Sequence, residues 1–321
     1  MIGLFIKPIV VLAAALAVTT VQSAQAPTPK IYVSTLYPVQ VLGFARSANG
    51  AVVPQNRIAG PNTRLTDPVG IAVGLTGNIY AVNAGGYHEP KAPSITIFSP
   101  ANGDARPVKV IRCGMREAWS AAVDGHANVH VTDPMSSAIW TFASGATGCA
   151  APVSSIKGSR TMLSSPTGIA YDGQGRAIVA DLEGSINIYA AGAKGNVAPV
   201  ARITGPHTRL FSPEGLALDS KGNVFATNYV DNSVTEYAAQ SNGDATPIRV
   251  IRGDRTLMDA PIGIAVSKTT GQIFVASLGG HAILVFGRNA NGNTPPVRVV
   301  RDAQGQLFPA GVALSESDSG R

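Results

Sequence analysis

A six-residue signature, Pro-x-Gly-aliphatic-Ala-aliphatic, recurs along this chain at nearly constant intervals and limits the possible folds more than any other feature. A sixth, degenerate copy lies at Ala118–Val123. The five close copies begin at Pro68, Pro166, Pro213, Pro261 and Pro309. Successive copies start 47 to 50 residues apart when the degenerate copy is included. A period of this length is typical of a propeller blade or of a solenoid unit.

Each repeat contains four short apolar runs, which are clearest in the repeat that begins at Pro213. There the runs are Gly215–Leu218, Val224–Thr227, Ser233–Tyr237 and Ile248–Ile251, and turn residues separate them. None of the repeats shows the apolar period of a helix. Short apolar runs bounded by Gly, Asn, Asp and Pro are typical of antiparallel strands. Each repeat is therefore predicted to form a four-stranded antiparallel sheet.

The two ends of the chain hold complementary parts of one further repeat. Near the N-terminus, Ile31–Ser34, Val39–Phe44 and Pro54–Ile58 match a second, a third and a fourth run, whereas Pro309–Leu314 supplies a first run alone. A solenoid does not need complementary fragments, but a closed ring does. The sequence therefore predicts an all-β fold, a six-bladed β-propeller of four-stranded antiparallel blades. One blade would take three strands from the N-terminus and one from the C-terminus.

The best-preserved repeat combines three motifs, Pro213–Asp219 (PEGLALD), Gly222–Asn228 (GNVFATN) and Asn232–Tyr237 (NSVTEY), and Pro166–Tyr189 and Pro261–Phe286 follow them. Together they resemble the NHL-repeat family over about 290 residues. The resemblance implies a six-bladed propeller of the NHL and gluconolactonase-like superfamily. Members of that superfamily bind proteins or RNA, hydrolyse lactones and esters, or act as lyases. A shared fold does not determine the chemistry of a site, so the resemblance implies architecture more firmly than function.

Residues 1–26 are predicted to be a signal peptide, and residues 27–321 a single propeller domain. Lys7 gives a positive start, Ile9–Val18 an apolar centre and Ala24–Ala26 a small-residue end, with cleavage nearer Ser23 or Ala24 as an alternative. No later segment has the length and apolar character of a membrane span. We therefore expect a monomeric protein that is exported, to the periplasm or outside the cell, without a membrane span.

The chain carries a modest positive charge, with a formal net charge of +6 and 14% charged residues. Such a charge favours attraction to acidic polymers or anionic surfaces. The sequence contains no run of five or six basic residues, so no specific nucleic-acid binding is predicted. The expected partner is a protein or a small anionic ligand.

The two cysteines, Cys113 and Cys149, are a pair of the kind that often forms a disulfide in an exported protein. In the repeat register, Cys113 follows a fourth strand, and Cys149 lies in the turn between a third and a fourth strand. Turns at those two positions are expected on opposite faces of the ring, farther apart than the roughly 7 Å between Cα atoms that a disulfide spans. We therefore expect the register to keep the cysteines apart, and a disulfide is the alternative.

Candidate binding residues fall at recurring positions near one face of the predicted ring. The middle position of the signature holds Glu214 and, in the degenerate copy, Trp119. The second strands end at Asp133, Asp181 and Asn228, whose oxygens suit either a divalent cation or the capping of loop amides. The loops after the second strands add three more candidates, Tyr87, Tyr229 and His281.

The resemblance also bears on a metal site. Gluconolactonase-like enzymes place metal-binding Asn and Asp residues at the middle of several Pro-x-Gly copies. Here those places hold Val69, Trp119, Thr167, Glu214, Ile262 and Ala310. Glu214 alone has a side chain that suits a metal. No cofactor is therefore predicted, and a divalent cation held by Glu214, Asp133 and Asp181 is the alternative.

The links between repeats carry recurrent arginines. Gly60–Leu65 and Gly205–Leu210 are near twins that contain Arg64 and Arg209. Two looser relatives of this link contain Arg160 and Arg255. A guanidinium group suits a bidentate contact with a carboxylate or phosphate. The alternative is that these side chains are solvated and paired with acidic residues of the same links.

Two hypotheses of function follow from these residues. The first is an exported, non-catalytic binding propeller that holds a protein or an anionic ligand at its axial face. The second is a metal-assisted hydrolase, lactonase-like or esterase-like, or a lyase, with its site at the central channel. The second hypothesis requires Glu214, Asp133, Asp181 and His281 to converge on one point.

Overall fold

The computed structural model describes residues 30–85, 91–112, 114–305 and 307–315. The predicted signal peptide and Tyr87 lie outside these ranges. Within the described ranges, no helix is long and apolar enough to cross a bilayer. The helical turns described there are four short 3-10 helices, Pro61–Thr63, Pro134–Ser136, Ser159–Thr161 and Asp254–Thr256.

The described residues form 25 strands, which are numbered in chain order. They are β1 (Lys30–Thr35), β2 (Gln40–Ala45), β3 (Gly50–Val52), β4 (Asn56–Ile58), β5 (Pro68–Val73), β6 (Ile79–Asn83), β7 (Ser94–Phe98), β8 (Lys109–Arg112), β9 (Ala121–Val123), β10 (Val129–Asp133), β11 (Ala138–Phe142), β12 (Ser154–Lys157), β13 (Pro166–Tyr171), β14 (Ala177–Asp181), β15 (Ser185–Tyr189), β16 (Ala201–Thr204), β17 (Pro213–Leu218), β18 (Val224–Asn228), β19 (Ser233–Tyr237), β20 (Arg249–Arg252), β21 (Pro261–Val266), β22 (Ile273–Ser277), β23 (Ala282–Phe286), β24 (Arg298–Asp302) and β25 (Pro309–Ser315).

The strands form six sheets, and each sheet is one blade. Blade 1 has the order β25-β1-β2-β4, and blades 2 to 5 are β5–β8, β9–β12, β13–β16 and β17–β20. Blade 6 is β21–β24 with β3 as a fifth, parallel strand. Each innermost strand contacts the innermost strand of the next blade, from β5 through to β25, and β25 contacts β5. The chain is a six-bladed β-propeller.

Blade 1 combines strands from the two ends of the described chain. The C-terminal β25 pairs antiparallel with β1, so that Leu314 lies opposite Ile31 and Val312 lies opposite Val33. β2 and β4 complete the sheet on the other side of β1. The strand β1 ends at Thr35, one residue later than the sequence pattern predicted.

The glycine of the Pro-x-Gly signature allows neighbouring blades to approach each other around the axis. A Cβ atom built on Gly215 would lie 2.4 Å from the carbonyl oxygen of Ile262 in the next blade. The same atom on Gly263 would lie 2.7 Å from the carbonyl oxygen of Ala310. The Thr227 hydroxyl also donates a hydrogen bond to the Ile262 oxygen, at 2.5 Å. A side chain at this position would therefore force the innermost strands apart.

A second set of contacts joins the blades at the rim. The connection between the third and fourth strands of each blade runs back along the outermost strand of the preceding blade, in parallel. Between blades 1 and 6 this contact is the β3–β24 pair. The other five joints are single bridges, Ile58–Gly103, Ile111–Gly148, Ile156–Gly195, Ile203–Gly243 and Ile251–Gly292. These backbone contacts cover the outermost strands, which would otherwise expose unpaired groups.

A glycine and an acidic or amide side chain close most of these joints. The His207 backbone N–H donates a 2.8 Å hydrogen bond to Asp244 Oδ1. The link glycine beside it, Gly205, has φ 138°, and a Cβ atom there would lie 2.5 Å from the Asp244 carboxylate. Three other joints repeat this arrangement with the pairs Gly60–Asp104, Gly158–Asn196 and Gly253–Asn293.

In the sequence register of the joint between blades 2 and 3, Cys113 occupies the position of the link glycine, and Cys149 occupies the position of the acidic or amide residue. Cys149 follows Gly148, whose oxygen accepts a 2.8 Å hydrogen bond from Arg112 N. Cys149 is disulfide-bonded. The sequence contains one other cysteine, Cys113, which lies outside the described residues. The expectation that the register separates the cysteines is therefore wrong. The connection between β11 and β12, which holds Cys149, runs along β8 of the preceding blade instead of staying at the opposite face of its own blade.

The core of the propeller lies between blades rather than within them. Between blades 5 and 6, for example, Phe225 and Val234 pack against Ile273, Val275 and Leu284, and all five are buried. Corresponding clusters fill the other joints. Because each blade buries both faces against its neighbours, closure of the ring leaves no end face exposed.

The close approach at the axis yields a prediction about stability. We expect Gly215→Ala to destabilise the protein by about 1–3 kcal/mol, because the added methyl group meets the Ile262 carbonyl and cannot move away from it. Gly173→Ala is the control, since Gly173 has no positive φ and a Cβ atom added there would have no neighbour within 4 Å. Urea unfolding measures both variants. Equal stability of the two variants would contradict the proposed role of the signature glycine.

A second prediction concerns the joint between blades 2 and 3. We expect Cys113→Gly with Cys149→Asn to re-create the hydrogen-bonded joint found elsewhere and to retain more stability than Cys113→Ala with Cys149→Ala. Loss of a disulfide typically costs about 2–5 kcal/mol, and a restored hydrogen bond returns about 1 kcal/mol. Thermal unfolding of both double variants and of the parent protein measures the order. An alanine pair as stable as the glycine–asparagine pair would show that the two joints are not interchangeable.

Candidate functional site

One face of the propeller gathers the candidate residues, and we call it the link face. It carries the links from each outermost strand to the next innermost strand, together with the loops between second and third strands. Because successive strands run in opposite directions, these two kinds of connection lie at the same end of every blade. The predicted positions of Glu214, Trp119 and the link arginines all fall at this end.

A small pocket on the propeller axis contains Glu214 and Trp119. It has a volume of about 80 Å³, and all six innermost strands or the residues that precede them line it. The indole Nε1–H of Trp119 donates a 3.1 Å hydrogen bond to Glu214 Oε2. Both residues occupy the middle position of the signature, in blades 3 and 5, so the bond crosses the axis. Glu214 is the one ionisable side chain among the described residues that line this pocket.

The surroundings of Glu214 favour its neutral form. Burial raises the pKa of this carboxyl to about 7, the Trp119 hydrogen bond lowers it, and the nearby Glu117 carboxylate raises it further. The pocket walls are aliphatic and include Ile71, Leu216 and Ile264. An apolar wall cannot replace the hydration that a carboxylate loses, so charging Glu214 carries a cost in the free protein.

The acidic and amide residues at the second-strand ends bind the links. Asp133 Oδ2 accepts a 2.8 Å hydrogen bond from Arg116 N, and Asp181 Oδ2 accepts one of 2.8 Å from Ser164 N. Asn228 Oδ1 accepts a 3.1 Å bond from the backbone N–H of Phe211. In each case the donor precedes the side chain by 17 residues. Capping of link amides, one of the two roles expected from the sequence, is therefore the role that these hydrogen bonds support.

The candidate metal ligands are not gathered into one site. The part of the chain that the structure describes contains no group of three or more His, Cys, Asp or Glu side chains placed to hold a metal ion. Asp133 also accepts hydrogen bonds from Ser136 N at 3.0 Å and from Trp140 Nε1 at 3.0 Å. His281 directs Nδ1 to the Leu307 carbonyl oxygen at 3.2 Å, and its ring meets Phe308 edge-on.

The link arginines are exposed cations. Arg64 follows a 3-10 helix and Arg209 follows a turn, and their φ angles are 58° and 57°. Arg160 and Arg255 lie two residues earlier in their links, inside 3-10 helices, so the four side chains share the face but not one position. Among the described residues, these four guanidinium groups make no side-chain hydrogen bond or ion pair.

Exposed aromatic side chains lie beside these cations in blade 5. Phe211 and Tyr229 are 49% and 40% exposed, and Val230 is 67% exposed. Phe211 N bonds to Asn228, and Tyr229 N donates to Ser212 O at 3.2 Å, so the link and the loop hold each other in place. Tyr229 was predicted from the sequence, but Phe211 was not, because no other link has an aromatic residue at the corresponding position.

A cleft of about 550 Å³ opens next to this patch, at the outer part of blade 5. Arg209 and Arg252 line it together with Asp231 and Asp254. Arg252 Nε donates a 3.3 Å hydrogen bond to Asp231 O and lies 3.7 Å from its carboxylate. No pattern in the sequence predicted this cleft, because its residues come from a loop, a strand and two links that are distant in the chain.

A buried histidine joins blades 3 and 4 near the opposite face. His130 Nε2 lies 3.2 Å from the Asp124 carboxylate, so this nitrogen carries the proton, and Nδ1 accepts from the Tyr171 hydroxyl at 2.9 Å. Burial lowers the pKa of His130, although Asp124 raises it. The rings of His130 and Tyr171 are 4.2 Å apart. The neutral histidine therefore acts as an inter-blade contact in place of an aromatic residue such as Phe225, which is its counterpart in blade 5.

Comparisons with known proteins agree on the fold. No protein-family model matches the chain, and no curated protein matches it. Among solved structures, it is similar to the propeller of a nidogen/laminin complex, with 13% identity, a TM-score of 0.59, and coverage of 90% of this chain and 99% of that chain. A Bacteroides fragilis protein with a provisional 6-phosphogluconolactonase assignment has 11% identity, a TM-score of 0.60, and coverage of 90% and 99%. A streptogramin B lyase has 14% identity, a TM-score of 0.51, and coverage of 84% and 76%.

At these identities the similarity shows the fold alone. The six-bladed propeller implied by the NHL-repeat resemblance is confirmed by the six sheets of the structure. The neighbours include both a protein-binding propeller and enzymes, so their functions do not transfer to this chain.

The raised pKa of Glu214 yields a prediction about pH. Below the unfolded pKa of 4.5, Glu214 is neutral in both states. As pH rises from 4.5 to about 7, the unfolded state releases this proton while the folded state keeps it, so the folded state loses stability across that window, and the loss is complete above the folded pKa of about 7. We therefore expect Glu214→Gln to match the parent protein at pH 4 and to melt a few degrees higher at pH 8. Glu183→Gln, at an exposed site on the same face, is the control. An equal effect of Glu214→Gln at both pH values would contradict the assigned burial of this carboxyl.

Proposed function

We propose that this protein is an exported, non-catalytic binding propeller whose link face holds a protein partner through an acidic segment of that partner. Residues 1–26 would serve as the signal peptide, and the remaining chain, residues 27–321, would act as one monomeric domain in the periplasm or outside the cell. The proposed contact residues for this segment are Tyr229, Arg64 and Arg209, with His281 at the margin, and Trp119 and Glu214 would form a second contact at the axis. Tyr87 stays a candidate from the sequence and lies outside the described residues.

The observation that carries this proposal is the set of unpaired cations on the link face. Arg64, Arg160, Arg209 and Arg255 are exposed and have no side-chain partner among the described residues. By contrast, the basic side chains of the outermost strands, such as Arg249 and Arg57, bind the carboxylates of Glu236 and Asp302. A guanidinium group left without a partner on one face is available for a carboxylate of another molecule.

The surroundings of these arginines also fit a protein partner. Phe211, Tyr229 and Val230 add exposed apolar area next to Arg209. Interfaces between proteins are enriched in aromatic residues and arginine, and an exposed cluster of both is typical of a contact site. The adjacent cleft is large enough, at about 550 Å³, to receive several side chains of a partner.

The alternative function is a metal-assisted hydrolase or a lyase. The observation in its favour is Glu214, because a carboxyl with a pKa of about 7 suits general acid–base chemistry. However, Asp133 and Asp181 direct their oxygens to link amides. Metal analysis of the purified protein, with turnover assays on a panel of lactones and esters, tests this alternative. Stoichiometric metal that is lost in Glu214→Ala, together with turnover, would favour the enzyme over the binding module.

A defined acidic probe tests the proposed binding. Fluorescein-labelled decaglutamate should bind the protein at low ionic strength, as measured by fluorescence anisotropy, and binding should weaken with added salt. We expect Arg209→Glu with Arg255→Glu to weaken binding by about tenfold or more, since each change replaces an attraction with a repulsion. Both side chains are exposed, so the fold should remain intact.

The control variant makes the same change of charge on the opposite face. Lys221→Glu with Lys268→Glu alters two exposed lysines in turns between first and second strands, at the end of the blades opposite the links. This variant should bind decaglutamate within about twofold of the parent protein. Equal weakening by the two double variants would mean that net charge alone attracts the probe, and the link-face proposal would be wrong.

A further inference from the structure

The axial pocket combines a carboxyl group, an indole ring and aliphatic side chains, and none of the link arginines lines it. Its volume of about 80 Å³ corresponds to two or three water molecules, which is too small for a folded segment or a sugar ring. Most other residues of its wall, among them Val69, Ile262 and Val312, are aliphatic. Such a pocket suits a narrow, unbranched chain rather than a flat or branched group.

Glu214, the one ionisable side chain among the described residues that line this pocket, determines which chain end fits. Glu214 is partly exposed, and its carboxyl lies beside the indole of Trp119. A carboxylate next to an aromatic ring favours a cationic group, because both the negative charge and the ring face attract it. An ammonium group at the end of an alkyl chain would place methylene groups against the aliphatic wall.

We propose that the axial pocket binds a primary alkylammonium group, such as the side chain of a lysine presented by another molecule. The ammonium group ion-pairs with Glu214, and the alkyl chain contacts Trp119 and the aliphatic wall. This site is distinct from the arginine-based anion contact and does not depend on it. A partner that uses both would present a lysine at the axis with acidic residues around it.

The ionisation of Glu214 makes this binding dependent on pH. An isolated charge on Glu214 is unfavourable because of burial and because of Glu117, the other charged group that acts on it. A bound ammonium group compensates that charge, so binding releases the proton that the neutral carboxyl holds. Since the pKa of Glu214 is about 7 and an alkylammonium group stays charged up to about pH 10, affinity should rise as pH increases through neutrality.

Nα-acetyl-lysine amide is a suitable probe, and Nα-acetyl-norleucine amide is its neutral counterpart with a methyl group in place of the ammonium. The chain contains two tryptophans, so the indole N–H signals in a nitrogen–proton correlation spectrum report the Trp119 contact directly. We expect the lysine derivative to shift one indole signal and to bind about tenfold more tightly at pH 8.5 than at pH 6. The norleucine derivative should cause no comparable shift at either pH.

Two variants complete the test. Glu214→Gln retains an acceptor for the Trp119 N–H but carries no charge, and it should weaken binding of the lysine derivative at pH 8.5 by about tenfold or more. Glu183→Gln removes an exposed carboxylate from the same face and should leave this binding within about twofold of the parent protein. Equal binding of the lysine and norleucine derivatives, unchanged affinity of Glu214→Gln, or absence of any indole shift would each overturn the proposal.

Discussion

The approach of neighbouring blades at the axis is the constraint on which the rest of this structure depends. Gly215 and Gly263 lie so close to carbonyl oxygens of the next blade that a Cβ atom would stand at 2.4 Å and 2.7 Å. Because the innermost strands approach this closely, the side chains further out can interdigitate between blades. The same approach narrows the axis to a pocket of about 80 Å³. Fold and site therefore share one cause.

The sequence predicted the architecture well because every blade of the propeller repeats the same pattern of strands and turns. The period near 48 residues, the four apolar runs and the complementary termini are properties of the chain alone, and they predict six sheets of four strands each. The structure has these six sheets, with β3 added to blade 6 as a fifth strand. The cysteine joint was predicted wrongly, since Cys149 lies in a connection whose course along the neighbouring blade leaves no pattern in its own repeat. Residues that contact each other between blades are distant in sequence, so the repeat period of the strands does not predict which of them meet.

The candidate site could be predicted only in part, for a similar reason. The signature places Glu214 and Trp119 on one face, and their register makes a meeting near the axis reasonable. The hydrogen bond between them depends on side-chain directions across the ring. The cleft beside Arg209 was not predicted at all, since Asp231, Arg252 and Asp254 come from a loop, a strand and a link that are separate in the sequence. Residues that depart from the repeat pattern therefore indicate the candidate site better than residues that follow it.

This last point bears on where function resides in a ring of similar blades. Val69, Thr167, Ile262 and Ala310 at the middle of the signature are small or aliphatic, as packing near the axis requires. Glu214 departs from that pattern, and burial makes its charged form unfavourable in the free protein. A side chain that lowers stability at neutral pH without serving the fold is typical of a binding or catalytic position. Trp119 is the other residue that departs from the small or aliphatic pattern at this position. Its indole N–H donates a hydrogen bond that orients the Glu214 carboxyl, so the two residues form one site.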